Sequence, residues 1–172
     1  MKTLLLASLL LLLFALPATA GDAGRRWNVL VIDKDPKGAN VRESPAGKVI
    51  KAIPFGNGDT PRLVQLTGQA ADWFNVEVDG AGGWMHGSML GTCASATEDG
   101  APSLSKGPHI DSPLGVKVPA DAPVRLLGMY KEWLQVRYVD AKGKSHDGWL
   151  MEQALAISEN ELEHCARAWA RR

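Results

Sequence analysis

The sequence predicts an all-β protein made of two small β-units in tandem, followed by a short C-terminal helix. Three observations support this fold class. The 172 residues include 18 Gly and 10 Pro, and this abundance of turn-forming residues favours short strands over a helix bundle. Short apolar runs alternate with polar residues, as in strands that bury one face. One stretch of sequence also recurs about 60 residues later in the chain.

Residues 1–20 have the pattern of a secretory signal peptide. Lys2 supplies a positive charge, residues 4–16 form an uncharged, largely apolar run, and Ala-Thr-Ala at 18–20 is a small-residue cleavage site. The apolar run is too short to cross a hydrocarbon core of roughly 30 Å as a helix, and an uncleaved anchor is the alternative. We therefore predict cleavage after Ala20 and a periplasmic or secreted protein, with no membrane insertion once the signal is removed.

Residues 25–92 are predicted to form the first β-unit. Within Trp73–Val78, the apolar Phe74, Val76 and Val78 alternate with polar side chains, so one face of this strand should be buried. Short strands of this kind close into a small barrel, which avoids exposed sheet edges. The strands predicted for this unit are Trp27–Asp33, Lys48–Pro54, Arg62–Leu66, Trp73–Val78 and Gly83–Met85.

Residues 108–157 are predicted to form a second unit because they repeat the first. Trp133–Tyr138 matches Trp73–Val78, and Gly148–Leu155 matches Gly83–Leu90. The two matches are offset by 60 and 65 residues, and the difference falls in a polar hairpin loop that is longer in the second copy. Insertions are tolerated in such loops because loop length costs little free energy.

A linker and a terminal helix complete the predicted organisation. Residues 93–107 are rich in Ala, Ser, Thr, Gly and Pro, a composition typical of linkers. Residues 158–172 are predicted to be helical, since Ser158 and Glu161 have the spacing of a capping box. Four residues then form an apolar stripe at helical spacing, namely Leu162, Cys165, Ala166 and Trp169.

The two cysteines, Cys93 and Cys165, are predicted to form a disulfide. An exported protein meets an oxidising compartment, and an even pair of cysteines there favours a disulfide. A nucleophilic or metal-bound thiol is the alternative, although the adjacent His164 would point away from Cys165 on a helix. The bridge would fasten the terminal helix to the end of the first unit.

Three segments of the first copy resemble the bacterial SH3-like (SH3b) domain family. Asn40–Ile50 resembles the Asn-Val-Arg opening of that family, and Trp73–Val78 resembles its tryptophan-bearing strand. Gly83–Leu90 is similar to its closing Gly-Trp-Val-His-like turn. The second copy is degenerate, because His109–Asp111 replaces the Asn-Val-Arg opening. The resemblance implies two tandem small SH3-like β-barrels that are exported, bind cell-wall peptide or protein partners, and have no catalytic activity.

Four tryptophans recur in register in the two copies: Trp73, Trp84, Trp133 and Trp149. Their predicted role is to pack the two small cores, which need large side chains. The alternative is that partly exposed rings, Trp73 and Trp84 in particular, line a ligand groove.

Asn40 and Arg42 are the other candidate binding residues, and they lie in a predicted loop-like opening. There the Arg42 guanidinium would bind a carboxylate of a wall peptide. The alternative interpretation is a turn hydrogen bond for Asn40 and a surface salt bridge for Arg42.

Several function classes are disfavoured by the sequence. The 19 basic and 19 acidic residues balance, which disfavours nucleic-acid binding through neutralised phosphates. Asp33–Gly38 departs from a calcium loop at Lys37, and the histidines are too dispersed for zinc. Phosphate loops, dinucleotide fingerprints and nucleophile elbows are absent from the sequence. We therefore expect no catalytic residues, metal or cofactor.

The predicted function is that of an exported, non-catalytic binding module of the cell envelope. Its expected partner is peptidoglycan peptide or an envelope protein. The alternative is a small enzyme inhibitor or an accessory subunit of a cell-wall hydrolase.

Overall fold

The structure is a computed structural model that describes residues 25–56 and 60–172. The predicted signal peptide, residues 1–20, lies outside the described residues. β-strand is the predominant secondary structure of the described chain, and helix is confined to one short α-helix and two 3₁₀ turns, which confirms the all-β prediction. The strands are β1 Trp27–Val31, β2 Ala39–Arg42, β3 Val49–Ile53, β4 Leu63–Ala70, β5 Trp73–Val78, β6 Ala81–His86, β7 Leu90–Cys93, β8 Ser103–Ser105, β9 Leu114–Lys117, β10 Pro123–Tyr130, β11 Trp133–Val139 and β12 Ser145–Met151, and the helix is α1 Glu159–Ala170.

The described strands form one antiparallel sheet in the order β3-β2-β6-β5-β4-β1-β7-β10-β11-β12-β8-β9. β1 and β7 lie side by side at the centre of the sheet, and the two halves on either side of them have the same strand order. Each strand from β1 to β6 is therefore equivalent to the strand whose number is higher by six. We call residues 27–89 the first repeat and residues 90–154 the second. Each repeat ends in a short 3₁₀ turn, Gly87–Met89 or Glu152–Ala154. The two copies of the sequence repeat therefore pair their strands in the same order.

Local geometry follows the same repeat. The β4–β5 and β10–β11 hairpins turn at Ala71 and Lys131, which have positive φ angles of 50° and 49°. Each hairpin has an irregularity of register at the same place, before Gly68 in one and before Gly128 in the other. Two hairpins with matching irregularities indicate that the second copy keeps the backbone of the first even where its side chains differ.

Residues 93–107 differ from the predicted linker. Cys93 ends β7, which pairs with β1 on one side and with β10 on the other. Ala94 bridges Leu155, and β8 lies within the same segment with Leu104 buried. Small and polar residues are as compatible with a short strand as with a linker when their backbone groups are paired. The two repeats are consequently joined through the shared strand β7 rather than by a free connection.

The structure also corrects the alignment of the second copy. β8 pairs with β9 and β12, just as β2 pairs with β3 and β6. Trp149 lies opposite Ser105 in the register that puts Trp84 opposite Arg42. The counterpart of Ala39–Arg42 is therefore Ser103–Ser105, whereas His109–Asp111 lies in the turn region between β8 and β9.

Most of the repeated tryptophans do not belong to the core. Trp27, Phe74 and Met85 are among the largest fully buried side chains. The prediction that the repeated tryptophans pack the cores is wrong for Trp73, Trp84 and Trp149, which are half-buried. Successive side chains of a strand face opposite sides, so the ring before a core residue such as Phe74 faces outward. Trp133 is the exception, with 7% of its surface exposed.

Helix α1 begins at the predicted capping box. The Ser158 hydroxyl accepts the Glu161 amide, and the Glu161 carboxylate accepts the Ser158 amide in return. All four residues of the predicted apolar stripe are buried, Leu162, Cys165, Ala166 and Trp169. They pack with Leu30 and Ile32 in a second cluster.

The predicted disulfide between Cys93 and Cys165 is confirmed, with the two Cα atoms 5.6 Å apart. It joins the end of β7 to the buried side of α1. The Trp169 indole also donates to the Thr92 carbonyl over 3.1 Å. Among the described residues, no helix has the length and apolar character needed to span a bilayer.

A side-chain contact links the two repeats as well. The Gln69 Oε1 atom accepts the Met129 amide over 2.7 Å, and its Nε2 atom donates to the Leu127 carbonyl over 3.3 Å. Both partners lie in β10, so the β4–β5 hairpin of the first repeat is bonded to the corresponding hairpin strand of the second.

Candidate functional site

All four sequence-predicted ligand residues lie on the outer face of the first repeat. In β2, Ala39 and Val41 are buried, while Asn40 and Arg42 alternate with them and are half-buried. The expectation of a loop-like opening was therefore wrong for Asn40 and Arg42, because both occupy a paired strand. Strand alternation then points both side chains to the face opposite the core.

The neighbouring strands bring Trp73 and Trp84 to the same face. In β5 and β6, Phe74 and Met85 point into the core, so the residue before each points outward. Trp84 lies opposite Arg42 on one side and opposite Asn75 on the other.

Arg42 lies over the Trp73 ring. Its Cζ atom is 5.6 Å from the ring centroid, within the range of a cation–π contact. Its Nη1 atom donates to the Gly47 carbonyl over 2.6 Å, which fixes the guanidinium beside the turn at the end of β2. Its Nε atom is buried and has no hydrogen-bond partner among the described residues.

No carboxylate among the described residues forms an ion pair with Arg42. The neighbouring strand β3 provides a contrast. The Lys51 ammonium lies 2.6 Å from the Asp79 carboxylate, and its hydrogen bond and positive charge hold the pKa of Asp79 below its usual value. Lys51 is thus neutralised within the protein, whereas no acidic side chain of residues 25–56 and 60–172 pairs with Arg42.

Sequence reasoning missed His86 at this site. Its ring meets the Trp73 ring edge-on, with centroids 5.2 Å apart. The signal was present in the sequence, because His86 follows Trp84 by two residues in an alternating strand and so shares its face. We call Asn40, Arg42, Trp73, Trp84 and His86 together the Arg42–Trp73 surface.

His86 and Ser88 form a local cap. The His86 Nδ1 atom lies 2.8 Å from the Ser88 hydroxyl oxygen and accepts the Ser88 amide over 3.2 Å. Because Nδ1 accepts the amide, the neutral ring carries its proton on Nε2. The contact begins the 3₁₀ turn that follows β6. Nε2–H is therefore the polar group of His86 that remains for a ligand.

The second repeat has no equivalent cation. Ser105 occupies the place of Arg42; it is buried and donates its hydroxyl to the Gly107 carbonyl over 2.7 Å. Met151 occupies the place of His86, since it lies opposite Trp133 as His86 lies opposite Trp73. The two repeats thus have tryptophans at the same places, although Trp133 is buried where Trp73 is half-buried, and they differ in their charge and hydrogen-bonding groups.

The chemistry that the Arg42–Trp73 surface offers is recognition. It combines one unpaired guanidinium, two half-buried indoles and an imidazole N–H on the pleated face of three adjacent strands. In the part of the chain that the structure describes, no three His, Cys, Asp or Glu side chains form a group that could hold a metal ion.

No protein-family model and no curated protein matches the chain. Among solved structures, NlpC1 from Trichomonas vaginalis is similar with 14% identity and a TM-score of 0.33, over 86% of this chain and 51% of that one. NlpC2 from the same organism has 12% identity and a TM-score of 0.32, over 78% and 49%. An NlpC/P60 endopeptidase from Photobacterium damselae subsp. piscicida has 13% identity and a TM-score of 0.26, over 90% and 37%. The chain thus spans about half the length of the first two proteins.

Proposed function

We propose that this protein is an exported, non-catalytic binding module of the cell envelope that recognises the peptide part of peptidoglycan. The observation that carries the proposal is Arg42, a half-buried cation that lies over Trp73 and has no acidic partner among the described residues. Export is supported by the signal-peptide pattern and by the disulfide, since disulfides persist in oxidising compartments.

The charge of Arg42 favours a carboxylate ligand. A half-buried guanidinium without a counter-ion has lost part of its hydration and gained only a carbonyl and a ring in return. A ligand carboxylate at the Nη2 side would form charge-assisted hydrogen bonds, which are stronger than those between neutral groups. Wall stem peptides carry several carboxylates, so they meet this requirement.

The remaining groups of the surface favour a peptide. The Trp73 and Trp84 rings would cover the methyl groups and amide planes of a stem peptide, because indoles combine a large apolar area with few rotatable bonds. The imidazole Nε2–H of His86 would donate to a peptide carbonyl beside them. One cation, two flat apolar rings and one neutral donor fit a short acidic peptide better than a strongly charged polymer.

Binding without catalysis is supported by the role of Ser88. Its hydroxyl lies near an imidazole, but the same imidazole nitrogen already accepts the Ser88 amide. In a catalytic triad, an acidic side chain orients the imidazole that acts as the base. The His86 ring instead packs edge-on against the Trp73 ring. The pair therefore serves as the cap of a turn in this proposal.

A sedimentation assay with purified peptidoglycan sacculi tests the proposal. Wild-type protein should sediment with sacculi, and Arg42→Gln should weaken retention about tenfold, as expected for the loss of one charged hydrogen bond. Arg167→Gln is the matched control, since Arg167 is exposed on α1 far along the chain from this surface. Sacculi stripped of stem peptides by an amidase should not retain the protein.

Three results would contradict the proposal. Failure of wild-type protein to sediment, equal retention of Arg42→Gln, or undiminished binding to stripped glycan would each remove the assigned ligand or site. Altered wall hydrolysis in the presence of a hydrolase, without any retention on sacculi, would favour an inhibitor or accessory subunit instead.

A further inference from the structure

A second basic site lies where the two repeats meet α1. A cavity of about 520 Å³ opens there between β10–β11, the segment after β1, and the end of the helix. Its apolar wall is formed by Ile32, Val139 and Trp169. Four cationic side chains also line it: Lys34, Arg125, Arg137 and Arg172. None of the five residues of the Arg42–Trp73 surface lines this cleft, although Ser88, which is bonded to His86, does.

Arg125 and Arg137 face each other across β10 and β11. Like charges directly opposite in an antiparallel pair repel each other. Arg137 is compensated by Asp147, whose carboxylate oxygens lie 2.7 Å from its Nε and 2.6 Å from its Nη2. Arg125 is exposed, and no hydrogen bond or ion pair to it occurs among the described residues. Arg125 therefore lies directly opposite Arg137 in the sheet and, among the described residues, has no acidic partner of its own.

The other two cations are bonded to carbonyl groups rather than to acids. The Lys34 ammonium donates to the Ala170 carbonyl over 3.2 Å, and the Arg172 guanidinium donates to the Val139 carbonyl over 3.2 Å. Asp33 is the one acidic side chain in the lining, and its Oδ1 atom already accepts the Asp35 amide. Positive charge is consequently in excess in the cleft.

We infer that this cleft binds a phosphate group, either as inorganic phosphate or as a phosphomonoester. A carboxylate presents two oxygens, which suffice for one guanidinium fork, as Asp147 shows on Arg137. A phosphate presents more oxygens and up to two negative charges, so it can meet Arg125 and a second cation at once. The apolar wall beside the cations would take the organic part of a phosphomonoester. The site goes beyond the proposed peptide recognition and uses different residues.

The test is an NMR titration of isotope-labelled, oxidised protein with inorganic phosphate at constant ionic strength. Saturable shifts are expected at Arg125 and at the residues of the apolar wall. Arg125→Gln should weaken the affinity at least tenfold, and Arg167→Gln, which removes the same charge outside the cleft, should leave it within twofold. Because Arg125 is exposed and unbonded, the variant is expected to keep the wild-type spectrum elsewhere. Glycerol phosphate, titrated in parallel, should bind more tightly than inorganic phosphate if the apolar wall contributes.

Each outcome decides the inference. The absence of saturable shifts at the cleft, or equal weakening by the two variants, would overturn it. Acetate binding as tightly as phosphate would show a general anion site and would overturn the assignment to phosphate. Sedimentation with sacculi reports on the Arg42–Trp73 surface alone, so Arg125→Gln should sediment like wild type. A failure of one assay therefore leaves the other interpretable.

Discussion

Arg42 of the first repeat and Ser105 of the second occupy the same place in the sheet, each opposite a tryptophan of the next strand. The backbone of the repeat is thus retained while its chemistry is not. A guanidinium that lies over an indole in one copy is replaced in the other by a buried hydroxyl bonded to its own turn. The proposed recognition of a ligand through this face is therefore a proposal about the first repeat.

Trp84 and Trp149, which are half-buried at equivalent places in the two repeats, provide the first prediction. Trp84→Ala should weaken retention on sacculi about tenfold, because aromatic side chains at the centre of a binding surface often contribute more than 1 kcal/mol. Trp149→Ala is the matched control from the second repeat and should sediment like wild type. Equal losses in both variants would assign the binding to both repeats.

Adjacent residues of β5 provide a prediction about stability. Phe74→Ala should lower the free energy of unfolding by about 3–5 kcal/mol, since it removes a fully buried ring and leaves a cavity in the core. Trp73→Ala should cost less than about 2 kcal/mol, because its half-buried ring lies on the outer face. Urea unfolding monitored by circular dichroism measures both. A larger loss for Trp73→Ala would mean that the tryptophan, rather than Phe74, belongs to the core.

The local parts of this fold could be predicted from the sequence. The bounds of β5 were predicted to the residue because strict alternation of apolar and polar side chains is a local signal. The capping box of Ser158 and Glu161 was recognisable for the same reason. The single pair of cysteines left one disulfide to form.

The long-range parts could not be predicted in this way. Ser103–Ser105 has one apolar residue, and its identity as a strand depends on pairing with β12, more than 40 residues further along the chain. The sharing of β7 between two partners likewise depends on backbone groups rather than on side-chain type. Tryptophan content suggested two cores filled by these rings, but hydrophobicity alone does not say which face of a strand a ring occupies. Alternation with Phe74 and Met85 would have given the correct face.

The disulfide provides a prediction about how α1 is held. Cys93→Ala with Cys165→Ala should lower the free energy of unfolding by about 4 kcal/mol, because the bridge closes a loop across 72 residues of sequence. Amide hydrogen exchange in α1 should accelerate more than exchange in β5. Reduced wild-type protein is the control and should match the double variant. Unchanged stability in both would show that packing of the helix alone holds it.

The capping box provides a prediction about pH. Burial acts to raise the pKa of Glu161, but the hydrogen bonds from the Ser158 hydroxyl and amide outweigh it, so the pKa lies below its ordinary value. A carboxyl with a lowered pKa in the folded state stabilises fully above its ordinary pKa of about 4.3, and this contribution is lost as the pH falls through the folded-state value.

Glu161→Ala should therefore cost about 1 kcal/mol near neutral pH and less at about pH 3. Urea unfolding at a series of pH values measures the difference from wild type. Glu163→Ala, an exposed glutamate of the same helix, is the matched control. A difference for Glu161→Ala that stays constant with pH would contradict a charged cap.

Recognition of wall peptide by the Arg42–Trp73 surface is tested most directly by the indole N–H resonances of the labelled protein during titration with a soluble muropeptide. We predict saturable shifts for Trp73 and Trp84, with Trp149 unchanged, and loss of these shifts in Arg42→Gln. Shifts of equal size at Trp149, or no saturable shift at any indole, would contradict the account.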